Sequence, residues 1–154
     1  MKIRPLFQSD YGKHFCGPTC ISMAIRYYKK YENPSKIFSK IKEIRKKTKQ
    51  HLDEKRKGFT YIDEHPDVLK ELGFKSKRIK KSDLRKKIND HIRKNEPLIV
   101  NTKNYGGHFI VIKNCKNDKI FLNDPKKGEQ FIDISKFMKR VKSDFDYNAI
   151  AVYK

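Results

Sequence analysis

Cys16 opens the run Cys16-Gly17-Pro18-Thr19-Cys20, and Ile21, Ala24, Ile25 and Tyr28 follow at three- and four-residue spacings that predict a helix with one apolar face. Pro18 suits the first turn of that helix, where the amide hydrogen it lacks would have had no partner. Cys16 is therefore expected at a helix N-terminus, where free amides and the helix dipole favour a thiolate, the form in which sulfur attacks a carbonyl carbon. A free cysteine is as readily a small buried hydrophobe. The chemical reading needs a base, and a third group to orient that base.

His14, His51, His65 and His91 stand in polar or helical surroundings and read as solvated. His108 differs, because it begins the alternating run His108-Phe109-Ile110-Val111-Ile112 and follows Gly106-Gly107, which leaves room for another backbone. Asp124 ends the next β-rich run. His108, Ile110 and Ile112 share one strand face, and Ile120, Leu122 and Asp124 share another, by the period of two. A three-residue loop between the strands brings both sets to the same side of the sheet, with His108 opposite or diagonal to Asp124; a two-residue loop sets them on opposite sides. Asp124 also starts an Asn-Asp-Pro turn, where aspartate is common for local reasons. Gln8, eight positions before Cys16, has a side-chain amide that suits the oxyanion of a tetrahedral intermediate. Asn101, Asn104 and Asn123 offer the same donor and rank below it.

The elements that must hold these residues follow from periodicity. After the Cys16 helix, Ile37, Phe38, Ile41 and Ile44 predict a second helix over 35–47, and the polar stretch 50–58 reads as a loop. A third helix is expected over 62–72, interrupted near His65-Pro66 and stopped by Gly73, before a short strand at 74–79. Ser82 is expected to cap a fourth helix, which ends before Asn95-Glu96-Pro97. Beyond it the β-rich runs 98–100, 109–112, 119–122 and 150–153 alternate with turn residues. The order predicts a single α+β domain over 1–154, with N-terminal helices packed on a C-terminal antiparallel sheet.

A chain of 154 residues supports one core. Its 38 Lys+Arg against 18 Asp+Glu, a formal charge of +20, would attract nucleic acid, an anionic membrane or an acidic peptide. No zinc-finger pattern, RNP aromatic motif or GXXG clamp accompanies the charge, so nucleic acid is disfavoured as partner. No run approaches the ~20 apolar residues of a membrane span. Three cysteines with no secretory signal argue for a reducing, cytoplasmic setting without a disulfide framework. Cys16 and Cys20 lie four apart on one helix but lack a fourth ligand at sensible spacing, so no metal or other cofactor is expected. Cys20 reads as core, Cys115 as a strand or loop residue without a chemical role, and Tyr27, Tyr28 and Tyr31 as a packed helix face. Nothing in the pattern speaks to an oligomeric state.

Taken together, Gln8, the block Cys16 to Ala24 followed by Tyr27-Tyr28, Gly107 to Val111, and Asn123-Asp124-Pro125 resemble the C39 and C39-like peptidases of the papain superfamily. Leu69 to Phe74 resembles that family's link into its sheet. The resemblance implies a papain-like cysteine peptidase with Cys16 as nucleophile, His108 as base, Asp124 as its orienting acid and Gln8 as oxyanion donor, acting on a peptide or protein substrate. The glutamine departs from the family pattern, which commonly sets it about six positions before the cysteine. Known relatives cut leader peptides after a double glycine and are usually fused to export transporters; this chain has no room for a transporter, so such a substrate is implied by kinship alone. Other relatives lack the cysteine and only bind peptides, and the alternative is such an inactive peptide-binding module.

Overall fold

The computed structural model describes residues 1–48 and 60–154; the expected loop at 50–58 and His51 lie outside the described residues. Among the described residues five α-helices accompany one sheet: α1 (Cys16–Arg26), α2 (Pro34–Thr48), α3 (His65–Glu71), α4 (Lys81–Arg93) and α5 (Ile134–Arg140). The strands are β1 (Lys75–Ile79), β2 (Leu98–Thr102), β3 (His108–Lys116), β4 (Lys119–Asp124), β5 (Gly128–Asp133) and β6 (Ala149–Tyr153). They form an antiparallel sheet in the order β1-β6-β2-β3-β4-β5. This is the expected α+β architecture of helices on an antiparallel sheet.

Alternation along the strands divides the core into two layers. Ile99, Phe109, Val111, Ile150 and Val152 pack with α1, α2 and α3, whereas Leu98, Val100, Ile110, Ile112, Ala149 and Ala151 pack with α4 and α5. The N-terminal helices therefore cover one face only, and α4 and α5 cover the other. Strands buried on both faces read as continuous apolar runs. Leu98-Ile99-Val100 and Ile110-Val111-Ile112 are such runs, each residue removed from water, and each side chain of that size contributes about 1.5–3 kcal/mol by burial.

Several local expectations change. Strand β5 and helix α5 fill 128–140, a region to which the sequence analysis assigns no element. Lys80 occupies the N-cap of α4 without a side-chain cap, so Ser82 sits inside the first turn. Tyr27 and Tyr28 pack on the core as expected, but Tyr31 is 73% exposed beneath the Arg26 guanidinium.

The β3–β4 hairpin decides whether His108 and Asp124 share a side. Its turn is the two residues Asn117 and Asp118, both at positive φ, as the tight turns that match strand twist require. That loop alone would set the two faces in opposition. The pairing Cys115↔Ile120 and Asn114↔Phe121, however, gives way to Ile112↔Leu122 and Val111↔Asn123. Lys113 is thus an extra residue in β3, a β-bulge that restores the parity of the faces. Its ammonium pairs with Glu129 of β5, which holds the bulged side chain against the neighbouring hairpin.

Candidate active site

Cys16 is the first residue of α1, as its flanking sequence predicts. The helix packs against β3 and β2, which carries its N-terminus to the head of β3, where His108 begins the strand. Gly17 permits a close approach on the other side. A β-carbon at that position would overlap the Thr60 hydroxyl and stand 3.0 Å from His65 Nε2.

His108 is 3% exposed. Its Nε2 lies 2.8 Å from Asp124 Oδ1, and Cys16 is close enough to favour a proton on the ring. Because Nε2 is engaged by the carboxylate, Nδ1 is the nitrogen left for sulfur. Thr102 Oγ1 donates to the His108 carbonyl at 2.9 Å, fixing the backbone that carries the ring. Burial by itself would lower the affinity of this imidazole for a proton, but the hydrogen bond to the Asp124 carboxylate and the nearby Cys16 push its pKa up to about 9. The ring is accordingly protonated at neutral pH. Asp124 feels burial in the opposite sense, yet its bond to His108 and the amides of Lys126 and Lys127 hold it below the usual carboxylate range. Those amides donate to Oδ1 at 2.7 Å and 3.3 Å, so one oxygen both closes the Asp-Pro turn and holds the histidine.

Gln8 lies in a 3-10 turn, Gln8–Asp10, and is buried. Its amide nitrogen on the main chain donates to the Pro125 carbonyl at 2.8 Å, which ties it to the residue following Asp124. Its side-chain Nε2 donates to Lys13 O at 2.7 Å, and its Oε1 has no partner among the described residues. The longer interval to Cys16 is taken up by a compact turn, in which Tyr11 and Gly12 both donate to the Gln8 carbonyl. Of the lower-ranked amides, Asn123 is committed to Ile3 O at 2.9 Å and Asn104 lies in a 3-10 turn.

The other cysteines and histidines sort differently. Cys20 is buried in the core, where desolvation first and then the charges of Cys16 and Asp124 raise its thiol pKa far up. Cys115 lies near the end of β3. His65 and His91 are not solvated, as the polar sequence around them suggests, but buried. His91 pairs with Glu96 at 2.5 Å, and His65 stacks on Phe109 at 4.5 Å between ring centroids with neither nitrogen partnered among the described residues.

A cavity of about 320 Å³ opens beside Cys16, bordered by Asn101, Gly106, Gly107 and Phe109. His14, half-buried rather than solvated, joins Thr60, Tyr61, Tyr105, Lys142 and Phe145 to complete it, and no feature of the sequence singles out Thr60, Tyr61, Lys142 or Phe145. The Gly106-Gly107 pair does border it, as its place before His108 suggests, with both residues at positive φ. Tyr105, itself at φ 55°, meets the His108 ring edge-to-face at 5.3 Å and carries the Lys126 ammonium 3.7 Å over its own ring.

The sequence model of the peptidase C39 family matches residues 8–143, a span from Gln8 to just beyond α5. The chain belongs to the peptidase C39 family. Solved structures agree on the fold. The chain is similar to a double-glycine-motif protease from an AMS/PCAT transporter, solved in complex with its leader peptide, at 21% identity and TM-score 0.63 over 99% of this chain and 90% of that one. It is similar also to the peptidase domain of Streptococcus ComA, an ABC transporter, at 18% identity and TM-score 0.72 over 99% and 98% of the two chains. A C39-like peptidase from Bacillus anthracis matches at 13% identity and TM-score 0.72 over 99% and 95%. No sequence among curated proteins matches. Among the described residues no group of side chains could hold a metal ion, and no helix is long and apolar enough to cross a membrane.

Proposed function

We propose that this C39 family member is a cysteine endopeptidase in which Cys16, His108, Asp124 and Gln8 perform the chemistry. The observation that carries the reading is the buried His108, bonded to Asp124 at 2.8 Å and close to Cys16 at the first position of α1. In the productive state the Cys16 thiolate lies beside the His108 imidazolium. Sulfur attacks the scissile carbonyl carbon, and the carbonyl oxygen takes the negative charge. The α1 N-terminal amides and the free hydrogen of the Gln8 amide stabilise that oxyanion. His108 passes its Nδ1 proton to the departing amine, the C–N bond breaks, and a thioester remains. His108 then takes a proton from water, whose oxygen displaces sulfur and releases the new carboxylate. Asp124 keeps Nε2 occupied throughout, so the proton moves only at Nδ1.

The substrate is a peptide or protein. By its likeness to a double-glycine-motif protease, a leader peptide is the first class to try. The three free thiols fit a reducing compartment, and the cytoplasm is the setting this reading assumes. The test is a panel of leader-like peptides ending in Gly-Gly together with an unbiased peptide library, incubated with wild type and with Cys16→Ala. Cleavage by wild type and none by Cys16→Ala is the expected result. Binding of the same peptides by both proteins with turnover by neither would favour a peptide-binding module in its place.

A further inference from the structure

Three polar groups in the cavity beside Cys16 take no part in the chemistry above. Asn101 is 5% exposed and Thr60 is 8% exposed, yet Asn101 Oδ1 and Thr60 Oγ1 have no hydrogen-bond partner among the described residues. The third is Lys142, with a side chain 20% exposed. All three border the same cavity as the nucleophile. Buried polar atoms are normally satisfied, and an orphan on a residue that lines a cavity points to a ligand or water that the side chain can turn to meet.

We propose that this cavity is the specificity pocket for a substrate residue flanking the scissile bond, and that it takes a carboxylate side chain, aspartate or glutamate. The assignment rests on the peptidase reading and names the substrate class of that same site. The lining holds a lysine and no carboxylate. Among the described residues the acid paired with the Lys142 ammonium is Asp144, 3.9 Å away and 66% exposed, so it faces water and leaves the lysine able to take a further partner. Lys142 offers three donors, Thr60 one hydroxyl, and the Asn101 amide presents its NH₂ group after a half-turn about its terminal bond. A lysine in a site walled by Phe109 and Phe145, with further donor groups on two lining residues, suits an anion held by charge-assisted bonds. A glutamine or asparagine side chain would leave the ammonium without its counter-charge, and a lysine or arginine would meet it as a like charge.

The pocket is built before the substrate arrives. Lys142 N donates to Asn101 O at 3.1 Å, and Asn101 N to Asn148 O at 2.9 Å. The adjoining Lys103 and Lys81 bond Arg140 O and Val141 O at 2.7 Å and 2.9 Å. Gly107 completes the frame: at φ +139° it accepts no ordinary side chain, and a β-carbon there would stand 3.2 Å from Lys142 Nζ. The glycine next to the catalytic histidine thus leaves space for the lysine head.

The experiment compares cleavage by the full-length protein of a fluorescence-quenched combinatorial peptide library, with cut sites read by mass spectrometry. Peptides are then matched with Glu, Gln or Lys at each position flanking the cut. At one of those positions wild type should prefer Glu over Gln by about tenfold or more in kcat/KM, and Gln over Lys, as one charge-assisted bond predicts. Lys142→Glu should reverse the order of Glu and Lys, and Asn101→Leu should narrow the ratio of Glu to Gln. Cleavage of the Glu and Gln peptides at equal rates at both positions overturns the pocket assignment while leaving the peptidase standing, and does so with wild type alone. A Lys142→Glu protein that keeps the Glu preference overturns it equally. If wild type cuts nothing in the library, the peptidase reading falls and the pocket assignment falls with it.

Discussion

Two buried histidines stand on either side of the same strand head, and they hold protons in opposite ways. His108, at the start of β3, is pushed up to about 9, and His65, at the start of α3 against Phe109, is pushed down to about 3. Both rings are almost wholly removed from water. Desolvation acts on both in the same direction, towards the neutral form. The difference is the company each keeps: His108 has the Asp124 carboxylate at 2.8 Å and Cys16 nearby, while neither nitrogen of His65 has a partner among the described residues. Burial alone makes an inert imidazole, and burial with a carboxylate makes a charged one that can donate a proton.

The largest separation between the two sites should come from deleting each ring. His108→Ala should lower kcat/KM on a susceptible peptide by about 10³-fold, within the range of general acid–base catalysis. His65→Ala should leave the chemical step far less affected and lose stability instead, by a few kcal/mol as for other large-to-small core changes. Equal losses of activity in the two variants, measured beside their melting temperatures, would erase the distinction.

Removing the carboxylate should make His108 behave like His65. Asp124→Asn is expected to cost about 10²-fold in kcat/KM, less than loss of the ring itself, because thiol and base both remain. In wild type the folded pKa of His108 lies above its unfolded value of about 6.5. Its contribution to stability is therefore complete below that pH and disappears as pH rises through about 9. Asp124, held low, contributes above its unfolded value of about 3.9 and loses that contribution as pH falls through its folded one. Asp124→Asn should move the His108 ring titration, followed by NMR, to lower pH and flatten the fall in melting temperature between pH 7 and 9. An unmoved titration would mean that Asp124 does not set the charge of the ring.

A smaller effect should follow from crowding the second site. Gly17→Ala forces a methyl group against Thr60 and His65 and should destabilise by about 1–3 kcal/mol, as overpacking does. Wild-type stability by chemical denaturation would place that packing elsewhere.

The last effect concerns acid. The folded pKa of His65 lies below its unfolded value, so the unfolded chain gains a proton first and stability drains as pH falls from about 6.5 towards 3, by at most about 1.4 kcal/mol per pH unit. His65→Leu replaces a ring with no polar partner by an apolar side chain and should be near neutral at pH 8. Its denaturation midpoint should fall less steeply than that of wild type between pH 6 and 4. Parallel curves would show that His65 is not buried neutral.

Much of this is legible in the sequence. The apolar spacing after Cys16 and the place of Pro18 locate a helix start there, and α1 begins at Cys16. His108 and Asp124 stand at the start and end of adjacent strands as their runs indicate. Helix α5 and strand β5 escape notice for a physical reason: α5 has only seven residues, and β5 is an edge strand whose outer positions are charged or exposed. His65 misleads because its neighbours His65-Pro66-Asp67 are polar, while the helix they begin turns that one ring into the core.

The sequence by itself determined which side chains are candidates for the chemistry, since local periodicity and turn residues set where each strand and helix starts. Only the tertiary structure decided that two of them meet. With the two-residue turn at Asn117 and Asp118, His108 and Asp124 belong on opposite faces, and the bulge at Lys113, held by Glu129 from another strand, returns them to one. Register is a property of a pair of strands, with a period of two, so one inserted residue inverts every face beyond it. The cavity is decided in the same way. Thr60, Asn101 and Lys142 are far apart along the chain, and only the pairing of the Lys142 segment with β2 sets them beside Cys16.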